Sequence, residues 1–254
     1  MIDLTMWLDI LLIFARTLSF VVVAPFYSIG NPPPLFKGAF GLALAILLYS
    51  VILLPELKGL QLLTFVVLLI GEVLVGLILG FTASLVFSAI RIAGQLLDIQ
   101  IGLSMAAIFD PQSESQNTLL SQFIYSLAVL IYMLIDGHHQ LLQSLAKSYE
   151  LIPLTSFEVI GSKHVWPMVE IFTEVFVLAL KIAGPVLAVL VIIDISLGLV
   201  ARTVPQLNVF MLGFPLKIAL GILSLSIVTP LLASVFGNVF SLIQKDLTII
   251  MRQF

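Results

Sequence analysis

The sequence predicts an all-α membrane-class protein, and three observations carry that expectation. Hydrophobic residues make up 61% of the 254 residues and charged residues only 10%, against about 45–50% and 25% in ordinary globular chains. Uncharged apolar runs recur along the whole length and leave no room for a separate soluble domain, so residues 1–254 are expected to form one unit. No alternating pattern of about ten residues points to a lipid-facing barrel, and no short repeat stands out.

About six hydrophobic helical segments follow, some broken or hairpin-like. Residues 4–28 form the first, interrupted by Asp9 and Arg16 and closed by SIGNPPP, whose prolines cannot continue a helix. Residues 38–54 carry no charge and are about long enough to cross a hydrocarbon core of roughly 30 Å. Gly59 to Ile90 holds one charge, Glu72, and as a single helix would run roughly 48 Å, so it must tilt, break or project. Residues 119–135 give another uncharged span, and DGHHQLLQSLAKSYELIPL (136–154) reads as a short amphipathic helix within a polar connection that runs to about Pro167. A fifth segment, about 169–203, contains Glu170, Glu174, Lys181 and Asp194 and is stopped by Pro205. The last, 216–244, should kink or split at Pro230.

Composition also narrows the function. Zero cysteines exclude disulfides and thiolate metal sites, and a net charge of −3 without a basic cluster gives nucleic-acid binding no support. The amino-terminal MIDLTMWLDI has no Lys or Arg, so it lacks the basic region of a cleaved signal peptide and is expected to be retained. Lys and Arg nearly balance between the two sides of a six-span arrangement: Lys37, Arg91, Arg202 and Lys217 against Lys58, Lys147, Lys163, Lys245 and Arg252. The positive-inside rule therefore sets no orientation, which hints that the segments are not all ordinary bilayer spans.

Arg16, Glu72, Lys181 and Asp194 are the charges expected to be buried, because an ion in hydrocarbon costs at least a few kcal/mol and must face a partner, a cavity or another subunit. Lys181 and Asp194 lie roughly 140° apart around a regular helix and need separate partners. Ion pairing between helices or subunits is favoured over an ion or proton path. Gly76 and Gly80 form a GxxxG that lets a neighbouring helix approach closely. The three histidines, His138, His139 and His164, are read as loop residues and not as a metal site, since helical neighbours diverge by about 100° and no HExxH is present. Neither a nucleophile elbow nor a Walker loop occurs, so no enzyme and no cofactor are expected.

Two stretches carry more. In ARTVPQLNVFMLGFPLK (201–217), Pro205 and Pro215 interrupt helix, Gly213 permits a turn, Gln206 and Asn208 can bond freed backbone groups, and Pro215 suits the first position of the last helix. Arg202 and Lys217 flank a run of apolar residues, including Phe210, that a docking loop would explain. In IGLSMAAIFDPQSESQNT (101–118), Asp110, Pro111 and Glu114 have the chemistry of a helix start. Before them, Gly102, Ser104, Ala106 and Ala107 allow a mobile backbone, while Ile101, Leu103, Met105, Ile108 and Phe109 can exclude water. On the residues alone a re-entrant packing loop explains this stretch as well as a seal does.

GLSMAAIFDP (102–111), DGHH (136–139) and RTVPQLNVFMLGFPLK (202–217), in that order on an apolar chain of this length, resemble the FliR family of flagellar export-gate proteins. That family is similar to a subunit of virulence type III secretion systems, and the DGHH and GFPLK elements favour the flagellar branch. The resemblance implies a non-enzymatic subunit of a channel for unfolded export substrates, assembled with several copies of FliP and FliQ and with FlhB in the bacterial inner membrane at the flagellar basal body. It implies a FliP-like half, about 1–135, and a FliQ-like half with the connecting amphipathic segment, about 136–254. It also places the family's pore plug on residues 101–111, within a loop spanning 101–118, and proposes Arg202, Gln206, Asn208 and Lys217 as assembly contacts. The competing expectation is a proton- or ion-coupled secondary transporter using Glu72, Lys181 and Asp194 with the last helix broken at Pro230.

Overall fold

The structure, a computed structural model, describes residues 4–25, 27, 32–52, 61–103, 119–154, 162–206 and 209–253, with backbone alone for 4, 5, 162–165, 209 and 210. Among these residues helices are the sole regular structure: α1 (Leu4–Val23), α2 (Pro34–Tyr49), α3 (Leu62–Ile101), α4 (Leu119–Leu134), α5 (Gly137–Leu151), α6 (Ser162–Thr203) and α7 (Val209–Met251). The six apolar segments and the amphipathic connection are all present. Four helices are long and apolar enough to cross a membrane, or five spans if the broken pair α4–α5 counts as one. The chain is thus an all-α protein of membrane class.

Several boundaries differ from the sequence reading, each for a local reason. Pro34 starts α2 at its first position, where a missing N–H costs nothing, so α2 begins before residue 38. The third helix runs past Ile90 to Ile101 and, at 40 residues, is about 60 Å long. Ser162 opens α6, so Pro167 lies in its second turn and does not precede it. Pro215, expected at the first position of the last helix, lies inside α7, which starts at Val209. Pro230 does not split α7 either. A proline removes one ladder bond, and in an apolar segment keeping all the others outweighs that loss. Hydroxyls in the preceding turns bond back along the helix, Ser226 Oγ to Ile222 O at 2.9 Å and Thr229 Oγ1 to Leu225 O at 2.7 Å. The helix start expected at Asp110 falls outside the described residues.

The helices sort into two compact units, one of residues 1–86, 136–172 and 240–254, the other of 87–135 and 173–239. Each unit draws on both halves of the sequence. In the first, Leu12, Ile13 and Phe20 of α1 and Leu141 and Leu145 of α5 are buried, while α2 leans on α1 through Thr17 Oγ1, which donates to Gly41 O at 3.2 Å. In the second, Ile90 and Leu97 of α3, Ile124 and Tyr132 of α4, and Ile182, Val186 and Leu190 of α6 are buried. Phe87 meets Tyr132 edge to face, with ring centroids 5.1 Å apart.

The GxxxG is a packing face for α1. A Cβ on Gly76 would lie 2.0 Å from Ser19 Oγ and 2.3 Å from Arg16 O, and one on Gly80 would lie 3.0 Å from Phe20 O. Backbone carbonyls cannot retreat as a flexible side chain can, so Gly76 sets how closely α1 and α3 approach. Gly76→Ala is therefore expected to lower stability by about 1–3 kcal/mol, the usual cost of overpacking. Gly38→Ala, where the new methyl would meet nothing within 4 Å, should be neutral or slightly stabilising. Thermal unfolding of the two purified variants in detergent checks the contrast.

Candidate functional site

In the first unit the polar chemistry converges on Arg16, which is 0% exposed, and Glu72, which is 2% exposed. Arg16 Nε donates to Glu72 Oε2 at 2.5 Å and Nη2 donates to Oε1 at 3.0 Å, a bidentate pair joining α1 to α3. The remaining guanidinium hydrogens go to α5 and its end: Nη1 to Ser148 O at 3.1 Å and Oγ at 3.2 Å, and Nη2 to Ile152 O at 3.0 Å. Five donors meet five oxygens, the full capacity of the side chain. The guanidinium carbon also sits 4.2 Å from the centre of the Tyr149 ring, whose hydroxyl donates to Ile13 O at 3.1 Å. Such a cluster ties three helices together and leaves no N–H of Arg16 to hand to a transported ion.

In the second unit the chemistry gathers where α3 ends. Lys217 Nζ lies 2.8 Å from Asp194 Oδ1, and Gln100 Nε2 donates to Asp194 Oδ2 at 2.9 Å. One carboxylate of α6 thus holds α7 and the last turn of α3. Just beyond, Gly102 adopts φ +94, and a Cβ there would lie 2.7 Å from the Phe214 ring. Gly221 leaves room for Ile101, whose Cδ1 would be 2.7 Å from any Cβ at that position. On the other side, Asp98, fully buried, accepts from the backbone N–H groups of Leu120 at 3.2 Å and Ser121 at 2.9 Å. A carboxylate from α3 therefore satisfies two of the backbone donors that the first turn of α4 leaves without an intrahelical partner. Gly94 permits the approach, since a Cβ would come 2.3 Å from Ser121 Cα, and Arg91 stacks over Tyr125 at 4.1 Å.

The sequence-predicted residues separate accordingly. Of the four charges expected to be buried, Arg16 and Glu72 are; Asp194 is half-buried and paired with Lys217, and Lys181 is exposed on this chain. A lysine's long stem carries its ammonium outward even from an apolar helix. Ile101, expected among the water-excluding residues of a mobile stretch, is the fully buried last residue of α3. Gly102 and Leu103 are half-buried, and Ser104, Met105, Ala106, Ala107, Ile108, Phe109, Asp110 and Pro111 lie outside the described residues. Arg202, Pro205 and Gln206 are exposed, as is Pro215, whereas Gly213 is buried. Asn208 and the side chain of Phe210 lie outside the described residues. Asp98, Gly94 and Gln100 were missed. A lone acid in LLDIQIG was the available signal, passed over because the third segment was ended at Ile90.

His138 and His139, read from sequence as loop residues, lie in the first turn of α5 with ring centroids 4.1 Å apart. Asp136, His138 and His139 bring three donor atoms within 4.8 Å of one another, the one such group among the described residues that could hold a metal. Tyr27, whose hydroxyl is pushed above its ordinary range by burial and so stays protonated, donates to His138 O at 3.0 Å.

Long apolar helices, with the buried Arg16 and Glu72 paired to each other, define an integral-membrane-class protein in which the polar clusters described above serve mainly to fix helices. Comparison with known proteins gives the family. The model for bacterial export proteins, family 1, matches residues 7–243. The flagellar biosynthetic protein FliR of Bacillus subtilis (strain 168) is 37% identical over 91% of this chain and 90% of its own length. FliR of Escherichia coli (strain K12) is 30% identical over 89% and 86%, and the Yop proteins translocation protein T of Yersinia pestis is 32% identical over 63% and 62%. The chain belongs to the family of bacterial export proteins that includes these FliR proteins.

Because all five guanidinium hydrogens are used, Arg16→Met should lower stability by about 3–5 kcal/mol by stranding Glu72 without a counter-charge. Pairing Arg16→Met with Glu72→Leu should recover most of that loss, since no lone buried ion remains. Melting curves of the single and double variants in detergent decide, and equal losses in both would overturn the charge argument.

Proposed function

We propose that this chain is a subunit of a flagellar type III protein export gate in the bacterial inner membrane, at the basal body. With several copies of FliP and FliQ, and with FlhB, it would build the channel through which unfolded flagellar proteins leave the cell. Residues up to about 135 would take the FliP-like role and the remainder the FliQ-like role. The stretch from Gly102 to Pro111 would act as the pore plug, with no catalytic step and no cofactor of its own. The family match along the chain supports the export role, and FliR relatives at 37% and 30% identity support the flagellar branch.

One structural observation carries the plug reading: both flanks of the stretch are pinned within one compact unit. Asp98 bonds the start of α4, and Ile101 and Gly102 are seated on Gly221 and Phe214. A segment fixed at both ends and rich in apolar and small residues can seal a throat, because apolar side chains at a constriction disfavour water and ions. Leu103, Met105, Ile108 and Phe109 are the sealing residues in this scheme, and Ile101 is the anchor. The transporter alternative loses support, because Glu72 and Asp194 each hold a basic partner within their own unit.

Deleting residues 103–108 is expected to raise ion or small-molecule leak through the assembled gate while co-purification with FliP and FliQ persists. An unchanged leak in an intact assembly would reject the plug. Lys217 already pairs with Asp194 within the chain, so Arg202, Gln206 and Asn208 remain the proposed assembly contacts. Arg202→Ala and Gln206→Ala, at exposed positions, should reduce co-purification with FliP and FliQ and leave the chain's own melting temperature unchanged. Lys217→Met should instead lower the melting temperature, because it strips Asp194 of its cation.

A further inference from the structure

The turn between α4 and α5 carries a cluster that the export role does not use. His139 Nδ1 lies 3.4 Å from Asp136 Oδ1, close to the roughly 3.3 Å edge of a tetrahedron with metal–nitrogen bonds of about 2.0–2.1 Å. The His138 and His139 ring centroids are 4.1 Å apart, and one donor from each of the three residues falls within 4.8 Å of the others. The side chains of Asp136 and His139 are 75% and 63% exposed, so closing the remaining gap needs only rotamer adjustment. Asp136 stands immediately before α5, where an aspartate ordinarily caps the helix, yet its side chain makes no cap bond and its backbone is left-handed at φ 56. Its carboxylate is turned toward His139 instead.

We propose that Asp136, His138 and His139 form a site for a divalent transition metal, best matched to Zn2+, with the fourth position open to water or a partner's side chain. Two imidazole nitrogens and one carboxylate oxygen suit Zn2+, whereas Ca2+ and Mg2+ favour oxygen ligands throughout. The positive end of α5 opposes a cation, and the Asp136 carboxylate supplies the charge that offsets it. Asp136 is therefore the ligand on which the site depends most. A bound ion would fix the backbone of residues 136–139, the turn at which the chain passes from one compact unit to the other. This inference does not rest on the export role.

Tag-free full-length chain, purified in detergent and stripped of metal, would be titrated with Co2+, whose visible absorption reports coordination, and then with Zn2+ in competition. One Co2+ per chain is expected, bound at micromolar concentration or tighter and displaced by Zn2+. Asp136→Asn, which tolerates the left-handed backbone, and His139→Ala should each weaken binding by more than roughly tenfold, the loss that even outer-shell changes produce. His164→Ala, which removes the remaining histidine, should leave binding unchanged. Binding only at millimolar Co2+, or equal binding by the original chain and Asp136→Asn, would overturn the site. Should His139→Ala fail to fold, the Asn variant alone still decides.

Discussion

A guanidinium shut away from water has five N–H groups to place, and the first compact unit is arranged around placing them. Glu72 takes two, Ser148 takes two through its carbonyl and hydroxyl, and Ile152 takes the last. The acceptors come from two distant stretches of chain, so the position of Arg16 fixes α3 and the end of α5 against α1 at once. The Gly76 contact belongs to the same constraint. The carbonyl of Arg16 that a Cβ on Gly76 would strike is part of the backbone turn that presents the guanidinium. A buried pair of this kind adds little net stability over an apolar equivalent, but removing either partner is costly. It therefore acts chiefly to specify one helix arrangement among the many that greasy helices could adopt.

The second unit solves the same problem with a carboxylate at the centre. Asp194 is shared between Lys217 and Gln100, and Asp98 is spent on the backbone donors of α4. Asp194 joins side chains of two other helices, whereas Asp98 acts on a helix start. A helix end in apolar surroundings exposes unsatisfied backbone groups, and those groups must find partners before an apolar environment will accept them. Asp98 thereby ties the last turn of α3 to the first of α4.

Much of this was legible in sequence because desolvation leaves strong signatures. A single glutamate in a long apolar run had to be paired, and a GxxxG beside it had to be a contact face. What was not legible was the partner of each charge, since Arg16 meets Ser148 and Ile152 across more than 130 residues of chain. Prolines misled in the opposite direction. Pro215 and Pro230 read as helix punctuation, yet both lie within α7, because in an apolar segment the remaining ladder bonds outweigh the one lost. His138 and His139, expected in a loop, sit in the first turn of α5, where side-chain rotamers bring their rings together although adjacent helical positions diverge.

The outer surface of α6 extends the argument from folding to assembly. At 42 residues it is about 63 Å long, roughly twice a hydrocarbon core. Phe172, Phe176, Val177 and Leu180 are exposed along its first half, and so are Glu170, Glu174 and Lys181. Lipid tails would cover the first group and reject the second; water would do the reverse. A neighbouring protein surface can cover both, meeting apolar residues with apolar residues and charges with counter-charges. The second half carries Asp194 as its one acid, already paired, among exposed Val191, Ile192, Ile195 and Leu199, and that part suits lipid. On the export-gate reading proposed above, the mixed half of α6 would face neighbouring chains and the apolar half lipid.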